Sequence, residues 1–374
     1  MSAGREDSAL TKGFQYDRWI ESLGLPVYRG FYVEDLRTLP LEEWPERGCW
    51  AAFIQLMGQE GIAEARVTEI PPASSTTPIK FALDEAIYVV EGRGLATVAP
   101  SSGGPSKTFE WQAHSMFLIP RNYVRQFDNV QGDRPARLLH YNYLPLGMSL
   151  VAEPDFFFDS PYSGDVLAGL DDFYSEARAI RDPSVAEGRA FATFWWGNFF
   201  PDMRAWDRLI KQERRGAGGH AVFIRFAGSD LYAHMSVFPS RTYKKAHRHG
   251  PGRVILIPGG EGFSVMWQEG QEKIVVPWHE ASLFVPPNHW FHQHFNLGAD
   301  PARYLAMHPP RQFSGHGERV EDAAHDIIQY PDEEAWIREK FERELADRGL
   351  ASHMPPRSTP TPTTAGPTAT TEPT

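Results

Sequence analysis

Two histidine pairs, His247-Arg248-His249 and His292-Gln293-His294, stand about one β-hairpin apart, the second inside the run Pro287-Asn288-His289-Trp290-Phe291-His292-Gln293-His294-Phe295-Asn296. Imidazole is a good donor to a divalent metal, and three such donors leave positions open for a substrate or for dioxygen. Side chains two apart on a strand share a face, so two strands of one small barrel would turn all four rings inward. A lone histidine on a strand is usually structural. Four at this spacing form a metal-site pattern in which any three would suffice.

The elements that must position these rings are short strands. Runs rich in β-branched and aromatic residues and cut by Gly and Pro, such as Ala86 to Val90, Ser115 to Ile119, Val254 to Ile257 and Ser282 to Val285, predict an antiparallel barrel or sandwich. The chain also repeats itself. Ile87-Tyr88-Val89-Val90-Glu91-Gly92-Arg93-Gly94 matches Ile255-Leu256-Ile257-Pro258-Gly259-Gly260-Glu261-Gly262, and Pro120 to Asn129 matches Pro287 to Asn296, at offsets of 168 and 167 residues. A repeat of that length is a duplicated domain. Helical spacing predicts helices over 14–23, 165–181, 200–215 and 332–348, outside the barrels. From Met354 onward Pro and Thr predominate, which predicts a tail without a core.

Composition limits the partners. The 374 residues, 41% of them hydrophobic, can bury a large core, and the length favours two domains. A net charge of −11 argues against nucleic acid and anionic membranes. Cys49 is the sole cysteine and permits no intrachain disulfide. Met1 to Lys12 is polar and unlike a signal peptide, and no apolar run is long enough to cross a bilayer, so the expectation is a soluble cytoplasmic protein with no membrane partner.

Together these features resemble a bicupin. The first cupin motif is a His-x-His pair followed by Glu and Gly, and His247, His249 and Gly260 match it, with Arg253 where the Glu would stand. The second motif is matched by Pro287, His292 and Asn296, with His289 at a Gly position. The combination is most similar to the gentisate and salicylate 1,2-dioxygenase branch. The resemblance implies an all-β fold of two tandem jelly-roll barrels, with short helices at the N-terminus, between the barrels and at the C-terminus. It gives a lead-in at 1–50, a degenerate barrel at 51–150, a helical connection at 151–215, a metal-binding barrel at 216–312, a helical segment at 313–349 and a tail at 350–374. It further implies a homo-oligomer acting on a small molecule.

The implied ligands are His247, His249 and His292, holding one divalent metal per chain. Fe(II) is the expected metal, with Mn, Ni or Zn as alternatives. His294 could be a fourth ligand, a support for the others or a proton carrier. The chain departs from the branch in three ways. Its metal would sit in the C-terminal barrel, not the N-terminal one. Ile255 stands where the branch has an Arg shortly after the second His. The first repeat has Ile79, Phe81 and Arg125 at the ligand positions and keeps only Glu85, so it should be metal-free with a packed centre.

Arg253 either faces inward to hold an anionic substrate or caps the loop at Gly250-Pro251-Gly252. Without the motif Glu, three neutral imidazoles leave the ion its full charge, which favours a dioxygenase acting on a hydroxylated aromatic or enolisable anion, with Arg253 and His294 as catalytic residues. A metal-dependent isomerase or lyase, and a ligand-binding protein without catalysis, remain alternatives. Trp267, Trp278, Trp290 and Phe291 are expected in the barrel core, and Trp195, Trp196 and Trp206 in the packing of the connection. His308, His316 and His325 have no ligand spacing.

Overall fold

The computed structural model describes residues 14–101, 103–158, 160–162, 172–183, 192–313 and 325–356. The architecture is all-β, two tandem jelly-roll barrels, each made of two sheets around shared core residues. In the first barrel an eight-stranded sheet runs in the order Val27–Gly30, Cys49–Leu56, Glu64–Ile70, Ala136–Asn142, Glu85–Glu91, Met116–Ile119 and Phe199–Phe200, with Glu42–Trp44 beside Cys49–Leu56. Its partner has four strands, Ile79–Lys80, Tyr123–Asn129, Arg93–Pro100 and Lys107–Gln112. In the second barrel the large sheet is centred on His220–Arg225, Tyr232–Phe238, Ala302–His308, Val254–Gly259 and Leu283–Phe284. The smaller sheet has Ile274–Trp278, Gly262–Trp267 and Phe291–Asn296.

The sequence explains these elements locally. Tyr123–Asn129 buries every second residue, as a strand with one face on the core must. The repeat is visible in backbone packing. A Cβ on Gly94 would lie 1.9 Å from the Asp128 carbonyl oxygen, and one on Gly262 would lie 1.9 Å from that of Phe295, so both hairpins need glycine where strands approach closely. The motif asparagines clamp the following turns in the same way. Asn129 donates to the Arg134 carbonyl at 2.9 Å and accepts from the Gln131 amide, while Asn296 donates to the Asp300 carbonyl at 2.8 Å and accepts from the Gly298 amide.

Helices form at both ends and between the barrels, at Gln15–Ser22, Leu144–Leu150, Asp155–Phe158 and Ala335–Ala346. One expected helix does not form, and a second does not form over its described part. Residues 200–215 contain the strand ends Phe199–Phe200 and Ile210–Lys211 and one 3-10 turn, because Phe200 extends the first barrel's sheet beside Met116. Of 165–181, the described part is a turn and the strand Arg178–Arg181, which pairs with Thr193–Trp196, and the remainder lies outside the described residues. Residues 357–374 of the expected tail, His316 and Met1 to Lys12 also lie outside them. Among the described residues no helix is long and apolar enough to cross a membrane.

The barrels exchange strands. Tyr32–Val33, from the N-terminal arm, pairs with Leu283–Phe284 of the second barrel, while Phe199–Phe200, from the connection, pairs with Met116–Ile119 of the first.

Candidate metal centre

The chain from Thr242 to Arg253 crosses the second barrel beside Phe291–Asn296, bound by His247 N to the His292 carbonyl at 3.0 Å and His292 N to the His247 carbonyl at 2.8 Å. That register sets His247 directly opposite His292, and the alternation of side chains brings His249 and His294 to the same interior. All four rings are buried. His247, His249 and His292 each offer a ligand atom within 4.8 Å of the others, and they are the one such group of histidine, cysteine and carboxylate donors among the described residues.

The hydrogen bonds behind these rings fit a metal. His247 Nδ1 faces the Lys245 carbonyl at 3.4 Å, His249 Nδ1 the Gly250 carbonyl at 2.8 Å and His292 Nδ1 the Trp290 carbonyl at 3.1 Å. A carbonyl oxygen cannot donate, so each Nδ1 carries the proton and each Nε2 keeps its lone pair. This is the tautomer that a metal-binding imidazole uses. Burial, with Arg215 next, holds His247 well below the usual histidine range, and burial followed by Arg253 does the same for His249.

His294 is set apart. It lies outside the three-donor group, and its Nδ1 meets Ser264 Oγ at 2.8 Å. Ser264 Oγ accepts from Trp278 Nε1 at 3.0 Å, and an indole can only donate. The serine proton is thus available to His294 Nδ1, which leaves the His294 proton on Nε2. In that tautomer His294 is a hydrogen-bond donor to the chamber. Burial and then His292 keep it well below the usual histidine range, hence neutral.

Arg253 is 5% exposed, makes no ion pair among the described residues, and lies within electrostatic reach of His249 and of the phenols of Tyr232, Tyr304 and Tyr141. Burial lowers it to about 10, and its Nε finds no hydrogen-bond partner. Its counterpart in the first barrel, Glu85, reaches Arg125 at 2.7 Å, and Arg125 is the counterpart of His292. The repeat therefore directs Arg253 toward the histidines.

The centre of the first barrel, expected to be packed around Phe81 and Ile79, also holds charged side chains. Phe81 is buried and Ile79 is partly so, yet the middle is an ionic network. Glu85 binds Arg66 at 3.0 Å, Arg125 at 2.7 Å and His140 at 3.2 Å, and Arg66 also pairs with Glu64. Residues the sequence did not single out, Lys244, Ser236, Tyr304 and His234, complete the second barrel too, with His234 meeting His308, which lacked ligand spacing, at 2.6 Å. Pairing of Ser236 with Tyr304 and of Tyr232 with His308 across one ladder is the feature that unites them, and it is not visible before the strands are aligned. His325 is exposed. Trp267 and Phe291 stack at 5.6 Å in the core, and Trp195 meets Trp206 at 5.2 Å, as their aromatic character suggests.

No family model matches the chain, and no curated protein sequence does. Among solved structures it is similar to oxalate decarboxylase from Bacillus subtilis, at 10% identity over 77% of this chain and 79% of that one, with a TM-score of 0.47. It is also similar to the Lactobacillus farciminis oxalate decarboxylase formate complex, at 11% identity over 76% and 87% of the two chains, with a TM-score of 0.49. A further Bacillus subtilis oxalate decarboxylase structure, described for its Mn(II) centres, has 11% identity over 78% of each chain and a TM-score of 0.47.

Proposed function

We propose that the chain is a cupin-type, metal-dependent enzyme. One divalent ion is held in the second barrel by His247, His249 and His292, and a small anionic substrate is held by Arg253. The observation that carries this reading is the convergence of three imidazoles, each with Nδ1 on a carbonyl, beside a buried guanidinium that makes no ion pair among the described residues. Such an ion, when bound, supplies Lewis acidity to a substrate oxygen. Arg253 takes the substrate carboxylate in its planar fork and fixes its direction. His294, neutral with its proton on Nε2, hydrogen-bonds the substrate. These groups best suit a lyase or isomerase step, which moves protons and cleaves or shifts a bond without oxygen.

A dioxygenase is the second reading. It is favoured by one observation: Arg253 replaces the motif Glu, so the donor set is three neutral imidazoles with no carboxylate. Fe(II) would be the metal for that reaction, whereas Mn(II) serves the first reading equally well. Assembly into a homo-oligomer is part of the same proposal, and light scattering tests it.

The deciding experiment loads untagged protein with Fe(II) or Mn(II) and screens hydroxylated aromatic acids, 1,3-dicarbonyls and small hydroxy and keto acids, both in an oxygen electrode and without oxygen. Product formed anaerobically supports the lyase or isomerase. Oxygen uptake matched to product supports the dioxygenase. Binding without either reaction overturns both and leaves a ligand-binding protein.

A further inference from the structure

The second barrel contains a polar pair that the three-histidine site does not use. Lys244 is 1% exposed and has no ion pair with a carboxylate among the described residues. Its Nζ donates to Ser236 Oγ and lies 5.1 Å from the centre of the Tyr304 ring. The Tyr304 phenol lies near enough to Ser236 and Lys244 for both to favour its ionised form. Ser236 and Tyr304 are direct partners on neighbouring strands, so the ladder itself sets the phenol against the serine. The Tyr304 ring is 4.9 Å from that of His294, which is 5.5 Å from that of His292.

The repeat supplies an internal control. Thr68 and Leu138 are ladder partners in the first barrel, where they correspond to Ser236 and Tyr304. Thr76 corresponds to Lys244: its amide bonds the Phe127 carbonyl at 2.9 Å, as the Lys244 amide bonds the His294 carbonyl at 3.0 Å. A barrel of this design therefore closes with leucine and threonine at these places. The phenol and the ammonium occur only where the histidines converge, although burying an ammonium carries a steep desolvation cost. A packing role explains neither replacement.

On the reading of this barrel as a metal-dependent enzyme, we propose that Tyr304 is the proton donor of the chamber, with Lys244 beside it to hold the charge left by transfer. The Tyr304 O–H bond breaks as its proton moves to the electron pair that bond cleavage leaves on the substrate. The O–H electrons stay on the phenolate, which pairs with Lys244 until a solvent proton restores it. No oxidant or reductant is needed. Burial alone would raise the phenol, but the Lys244 ammonium and then Arg215 outweigh it and hold Tyr304 below the usual tyrosine range. The other titratable groups facing it are Arg253, His234 and His294, the two histidines kept neutral mainly by burial.

Ultraviolet titration of tyrosinate in the full Mn(II)-loaded chain tests the pair without any substrate. The parent should show one phenol ionising below the ordinary value of about 10. Tyr304→Phe should abolish that wave while leaving metal content and melting temperature unchanged. Lys244→Met should move it upward, and Lys244→Arg, which keeps the charge should the methionine variant not fold, should retain it. With a substrate from the screen, Tyr304→Phe should lower kcat by roughly a hundredfold or more and leave KM within about twofold. The absence of the early wave, its persistence in Tyr304→Phe, or an unchanged kcat overturns the proposal. Failure of the screen to find any substrate counts against the enzymatic reading alone, because the titration still decides whether Tyr304 and Lys244 form the pair.

Discussion

Arg253 occupies in the second barrel the position that Glu85 occupies in the first, and the difference decides what each centre can hold. Glu85 pairs with Arg66, Arg125 and His140, whereas Arg253 makes no ion pair among the described residues. A guanidinium buried without a counter-charge is costly, a cost that the proposed anionic substrate would offset. Arg253→Ala should leave the metal bound and raise KM for an acidic substrate by roughly 10- to 100-fold, the loss of a charge-assisted pair worth about 1.5–3 kcal/mol, with Arg253→Lys restoring only part of it. Unchanged steady-state kinetics in both variants would remove the anion role. For the ligands, His247→Ala or His292→Ala should reduce elemental analysis from one metal per chain to none, while His294→Ala should retain the metal. These histidines were legible in the sequence because a spacing of two recurs in both segments, although only Phe291–Asn296 is a strand and His247 sits in an isolated bridge. Lys244 and Tyr304 were not, since they come from distant segments and carry no spacing signal.

The strands were legible where β-branched and aromatic runs end in Gly or Pro, and Val254–Gly259 and Met116–Ile119 fall on such runs. The connection misled because Phe200, Met203 and Trp206 repeat at a helix-like interval although they lie on a strand end, a turn and irregular chain that pack onto the core. Periodicity alone cannot distinguish that from an amphipathic helix. The hairpin glycines allow a test at this scale. Gly262→Ala places a methyl against the Phe295 carbonyl, a backbone oxygen that cannot move without breaking the strand pairing that presents His292 and His294. A loss of about 1–3 kcal/mol or more is expected in urea unfolding, together with weakened metal binding, whereas Gly132→Ala, in open space with an ordinary φ, should cost far less. Equal midpoints for the two variants would show that the close approach is not maintained in solution.

Taken whole, the molecule pairs a barrel with a balanced ionic centre with one that buries the cations Lys244 and Arg253, its buried carboxylate Glu333 being held by Tyr243 and Gln293. The first should respond to acid. Burial lowers His140 to about 4 against the pull of Glu85, and Glu85 itself, although burial would raise it, is held well below the carboxylate range by Arg125, His140 and Arg66. An unfolded chain binds the His140 proton near pH 6.5, before the folded one does, so stability is lost as pH falls from about 6.5 toward 4, and the Glu85 contribution is lost below about 4.5. Glu64, raised chiefly by burial, works in the opposite direction. The melting-temperature difference between parent and His140→Gln should be constant above about pH 6.5 and shrink below it. A constant difference down to pH 4 would mean that His140 is already charged in the fold.

The exchanged strands also set an order on synthesis. Phe117 gains its edge partner only after Phe199 has left the ribosome, and the arm at Tyr32 waits for Phe284. The N-terminal barrel thus emerges early with a sheet edge that stays unpaired until the connection follows, and the arm has no partner until the second barrel has been made.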